Sequence, residues 1–118
     1  MTDGTELRIL TEKLVAYMEM AARTFQQTKK SGEKGDFYRE VKPFADEVKE
    51  TNDKWLKEAT NWLEENQPKN MFIKQIHSTY DQIETLSIQA YFPETSQTRF
   101  NNYLQSVRFI LKNILDRL

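Results

Sequence analysis

No cysteine occurs in this chain, so a disulfide frame, a thiolate nucleophile and a thiolate metal site are all excluded. That absence suits a reducing compartment. Glycine and proline are scarce at three each and fall mostly between periodic segments, which leaves little turn chemistry for hairpins. Neither sign of charge is in excess. With 17 basic and 18 acidic residues and a formal net charge of −1, the balance gives no case for nucleic acid or an anionic membrane as partner. Long hydrophobic runs are missing too: no stretch approaches the roughly 18 apolar residues of a membrane span. The opening MTDGTELRIL has no basic region leading into an apolar run and a cleavage site. A soluble cytoplasmic protein is expected, with no membrane and no nucleic acid among its partners. A length of 118 residues suits one domain, residues 1–118, around one core.

What the chain does have is helical periodicity, sustained four times. Asp3 and Glu6 offer a capping box for a first helix, along which Leu7, Leu10, Leu14, Tyr17, Met18, Ala21 and Phe25 recur at three- and four-residue spacings. The polar run KKSGEKG then has the composition of a mobile connector. Asp36 can cap a second helix whose apolar face is Phe37, Val41, Phe44, Val48, Trp55, Ala59 and Trp62, interrupted by Thr51 and Asn52. Pro43 removes a backbone hydrogen bond and disfavours helix at Lys42, so a kink or break is expected there. Thr51 or Asn52 is expected to bond back to its own preceding turn.

A tight turn at Asn66–Asn70, with Asn70 as the expected cap, leads to a third face of Phe72, Ile76, Tyr80, Ile83, Ala90 and Tyr91, with Thr79 and Ser87 on or beside it. Phe92-Pro93-Glu94-Thr95 breaks the pattern, and Ser96 caps a fourth helix carrying Phe100, Tyr103, Leu104, Val107, Leu111, Ile114 and Leu118. The fold class predicted is all-α, an up-down-up-down four-helix bundle with its second helix kinked or broken near Pro43.

A carboxylate di-metal bundle needs Glu-x-x-His on two helices, but His77 is the only histidine and Lys74 stands three residues before it. His77, Asp81 and Glu84 share a flank that reads as solvent-facing charge partners. Ser78, Thr79 and Ser87 cannot converge on His77 from one helix, and Gly32 and Gly35 lack the spacing of a phosphate loop. No catalytic residue, metal ligand or cofactor is expected. The surface is more informative. Phe109 lies opposite its helix's apolar face, among the uncharged Asn102, Gln105, Ser106 and Asn113, and depletion of charge around an exposed aromatic is a mark of partner-binding patches. Ile9, Ala16 and Met20 form a second apolar stripe on the first helix, and the two features would join if first and last helices are neighbours. Ile9, Met20 and Phe109 are therefore the candidate partner-binding residues.

The order Asp36-Phe37, Lys42-Pro43, Trp55, Pro68-Lys69, Gln75-Ile76, Gln89-Ala90-Tyr91 and Arg99-Phe100 resembles the YppE-like proteins of low-GC Gram-positive bacteria. The likeness runs from about Leu7 to Ile114. It implies a small cytoplasmic four-helix bundle, and it brings no activity, cofactor, partner or site residue, because the family is itself a domain of unknown function. The function expected is a non-enzymatic interaction or accessory module meeting another bacterial protein. The alternative is a bundle holding a small apolar molecule or a cation in an interior pocket among Trp55, Trp62, Tyr80, Asn52 and Ser87. A monomer is expected ahead of a homodimer paired through Phe109.

Overall fold

The computed structural model describes residues 4–118. It contains α1 (Thr5–Ser31), α2 (Lys42–Asn66), α3 (Ile73–Gln89) and α4 (Gln97–Arg117), with a π-helical turn, Phe37–Val41, running directly into α2. No strand occurs among the described residues. Short connections make successive helices antiparallel, and α4 closes the ring against α1, giving an up-down-up-down bundle 46 Å long. This is the fold class that the periodicity predicts.

The four stripes meet in one hydrophobic cluster. From α1 come Leu7, Leu10, Leu14, Met18, Ala21 and Phe25; from α2, Phe44, Val48, Trp55, Ala59 and Trp62; from α3, Ile76, Ile83 and Leu86; from α4, Phe100, Leu104, Val107, Leu111 and Ile114. Phe25 stacks on Phe100 at 4.0 Å, and Phe44 receives Tyr17 and Tyr91 edge-on at 6.0 Å each. Trp55 is 0% exposed, and its indole N–H donates to Thr11 Oγ1 at 3.1 Å. Thr11 in turn donates to the Leu7 carbonyl at 2.7 Å, so this buried triad ties α2 to α1 with every proton used.

The break expected at Pro43 takes the form of the π turn. Proline in a regular helix collides with the carbonyl four residues back, but in the first turn of α2, behind bonds of five-residue spacing from Val41 to Asp36 (3.1 Å) and from Lys42 to Phe37, that conflict is relieved. Lys42 keeps α-helical angles, φ −62° and ψ −47°, against the expectation from its proline neighbour. Asp36 caps the turn as predicted, accepting from the Arg39 N–H at 2.8 Å, while Glu40 accepts from the Asp36 N–H at 2.7 Å. The wider turn rotates less per residue, so Phe37, assigned to the core by phase, comes out exposed, edge-on against Tyr38.

Other local expectations are corrected. The cap expected from Asp3 lies outside the described residues, and α1 follows Gly4 with no side-chain cap. The KKSGEKG connector is tied down: the Gly35 N–H donates to the Tyr91 carbonyl at 2.9 Å and Lys29 Nζ to the Pro93 carbonyl at 2.8 Å. A Cβ at Gly35 would stand 2.7 Å from the Tyr91 ring, so that position has no space for a side chain. Asn70 does not cap α3. It turns the chain at φ 62°, α3 begins only at Ile73, and Gln75 Oε1 accepts from the Phe72 N–H at 2.8 Å. Ser96 caps α4 as predicted.

Asn52 does not bond back to its own helix but crosses to α3, its Nδ2 donating to the Tyr80 carbonyl at 3.0 Å. One turn outward Tyr80 donates its hydroxyl proton to Asp53 at 2.5 Å, with Lys49 reaching Asp53 at 3.4 Å and Glu84 at 3.8 Å. The bond to Asp53, then burial, push the Tyr80 hydroxyl up to about 12.

Trp55→Ala should cost about 3–5 kcal/mol in urea unfolding, and Thr11→Val, which orphans the indole N–H, about 1–3 kcal/mol. Tyr80→Phe should cost up to about 1 kcal/mol, reduced by partial solvent access. Because the folded-state pKa is raised, that contribution is whole below pH 10 and is lost as pH climbs towards 12, so the gap between wild type and variant should close across this window.

Candidate functional site

Two neighbouring positions before α3 diverge because the helix starts late. Met71 turns inward and is buried, whereas Phe72, at the cap, falls outside the helical phase and is left 61% exposed. Periodicity places Phe72 in the core. The structure instead sets it at the mouth of a groove of about 440 Å³ between α3 and α4. Gln75, Ser78 and Thr79 wall it on the α3 side, Ser106, Phe109 and Ile110 on the α4 side, and Lys74 is the one charged lining residue.

Phe109 points away from the core because its neighbours Val107, Ile110 and Leu111 fill the buried arc of α4. It is 64% exposed. Arg108 commits the adjoining flank of α4 to α1 through a two-pronged bond to Glu19 at 2.8 and 2.9 Å. Phe109 therefore belongs to the α3 side of the helix. Ile9 and Met20 are exposed on α1, as expected, at 46% and 42%, but neither lines the groove that holds Phe109. Phe109 shares its groove with Phe72, and Ile9 and Met20 lie outside it.

On the other side of Phe72 lies a second groove, of about 400 Å³, lined by Leu63, Gln67, Pro68, Met71 and Ile73, with Glu64 as its one charged residue. Arg117 holds this end of the bundle together, donating to the Lys69 carbonyl at 2.6 Å. Phe72 is thus a ridge shared by two apolar grooves. Periodicity missed it, although Gln75, three residues after Phe72, is the legible signature of a helix starting at Ile73.

Elsewhere the candidates for chemistry stay apart. His77 is exposed, and no group of three or more His, Asp or Glu is gathered as for a metal among the described residues. Trp55, Trp62, Asn52 and Ser87 are all buried, and none of them lines either groove. No described helix is long and apolar enough to cross a membrane.

These features define a small helical-bundle protein that presents two grooves sharing Phe72. The chain belongs to the family described as a bacterial domain of unknown function, DUF1798, whose model matches residues 11–118. It is 27% identical over 109 residues to the uncharacterized protein YppE of Bacillus subtilis, covering 92% of this chain and 89% of that protein. A crystal structure of a protein of unknown function from Listeria innocua superposes with a TM-score of 0.91 at 26% identity, covering 96% of this chain and 90% of that one. The crystal structure of Bacillus subtilis YppE gives 0.89 at 28% identity, over 98% and 94%. A Staphylococcus aureus structure from the DUF1798 family gives 0.78 at 30% identity, over 93% of each chain. The resemblance carried by the motif order is therefore borne out.

An exposed Phe109 predicts a specific outcome. Phe109→Ser should change unfolding free energy by no more than about 0.5 kcal/mol, whereas Ile110→Ala, one residue along and buried, should cost about 2–4 kcal/mol. Thermal melts followed by circular dichroism separate the two. A loss at Phe109 as large as at Ile110 would mean that Phe109 packs in the core.

Proposed function

We propose that this protein is a non-enzymatic, single-domain interaction module of the bacterial cytoplasm, and that its working surface is the face around Phe72 and Phe109. One observation carries this: two large aromatic side chains from different elements stand exposed at the same groove, in a chain whose other large apolar residues are mostly consumed by the core. Leaving an aromatic side chain in water forgoes about 1.5–3 kcal/mol that burial would return, and a partner covering both would recover it. The sparse charge of the groove lining supports protein docking over polar catalysis. A filled centre at Trp55, with its N–H bonded to Thr11, supports docking on the outer face over a ligand held among the tryptophans.

A photoreactive benzoyl-phenylalanine placed at position 109 in living bacteria tests the reading. Covalent adducts with protein are expected, and they should fade when Phe72→Ser is added. Labelling indistinguishable from that at an exposed control position such as Glu50 would remove the support for docking here.

A further inference from the structure

Resting on the reading of this face as a docking surface, we infer that its occupant is a second copy of the same chain, paired isologously across Phe72. In a two-fold contact each feature on one side of the axis faces whatever lies on the other side of the axis in the partner copy. Phe72 lines both grooves, so an axis passing at Phe72 lays the α3–α4 groove of one copy over the Leu63–Ile73 groove of the other, twice. The two sides are complementary in shape. One presents a knob, Phe109; the other presents an open hollow of about 400 Å³ walled by Leu63, Pro68, Met71 and Ile73, which is room for an aromatic side chain.

The two sides are also complementary in charge. Lys74 is the one charged residue lining the first groove and Glu64 the one lining the second. Both are exposed, and neither makes an ion pair among the described residues. Two-fold pairing brings Lys74 of each copy towards Glu64 of the other, whereas any arrangement that stacks like groove on like groove brings lysine to lysine and glutamate to glutamate. The charges thus favour the crossed register over its competitors. The two grooves offer fewer residues than the roughly 20–30 per side of a standard interface, so the association is weak and depends on concentration. This is compatible with a monomer in dilute solution.

Sedimentation equilibrium of the full chain, from about 10 μM to about 1 mM, reads the proposal. A reversible monomer–dimer equilibrium is expected, weakened roughly tenfold or more by Phe109→Ser or Phe72→Ser. Lys74→Glu and Glu64→Lys should each weaken it several-fold, and the double exchange K74E/E64K should return it to near the wild-type constant, with the effect of each single exchange reduced at high salt. Melting temperature checks that each variant is folded. A monomer at every concentration, a dimer indifferent to Phe109, or a double exchange no better than the singles would overturn the second copy as occupant. Protein adducts at position 109 that persist beside a strictly monomeric chain would leave the docking surface standing with a different partner.

Discussion

The indole N–H of Trp55 meets Thr11 at the centre of the bundle, where water does not reach. A buried donor left without an acceptor costs about 1–3 kcal/mol, so α1 must present an oxygen at that height and rotation. Thr11 does so because its own proton is already given to the Leu7 carbonyl. Once that contact is made, the register of α1 against α2 is set, and Leu7, Leu14 and Met18 fall into place around it. The second polar crossing, from Asn52 to the Tyr80 carbonyl, plays the same part between α2 and α3. Two interhelical hydrogen bonds in a largely apolar interior thus align three helices that hydrophobic burial alone would allow to slide.

The two ends of the bundle are finished differently, and the difference shapes the surface. At the end holding the first and third connections, backbone and lysine contacts bind one loop to the other: Gly35 to Tyr91, Lys29 to Pro93, and Lys34 over the ring of Phe92 at 4.8 Å. At the opposite end the chain between α2 and α3 makes two left-handed turns, at Gln67 and Asn70, before α3 begins. That delay buries Met71 and expels Phe72. The exposed aromatic at this end is therefore a by-product of where a helix starts, and no residue type around it is chemically unusual.

Membership of DUF1798 gives this chain relatives with the same architecture but without an assigned activity. A bundle that gathers no group of carboxylates and histidine for a metal among the described residues has free energy still to gain at exposed apolar side chains. Those of Phe72 and Phe109 line one groove and those of Phe72 and Ile73 the other, and each groove carries a single charge, of opposite sign.

How much of this was legible beforehand depended on the kind of signal. Helix count, the four buried faces, the caps at Asp36 and Ser96, and the outward Phe109 follow from spacing along the chain, because a 3.6-residue period decides which side of a helix a residue occupies whatever it packs against. The same rule turns Phe37 and Phe72 inward, yet both are exposed, since a π turn and a late helix start change the phase within one or two residues. The bonds from Trp55 to Thr11, from Asn52 to the Tyr80 carbonyl and from Tyr80 to Asp53, and the groove shared by Phe109 and Phe72, each join two separate elements, so no periodicity within one segment contains them. The sequence by itself determined which side chains must leave water. Only packing decided which of them meet, because that depends on the rotation and height of each helix against its neighbours, and those are set jointly by all four.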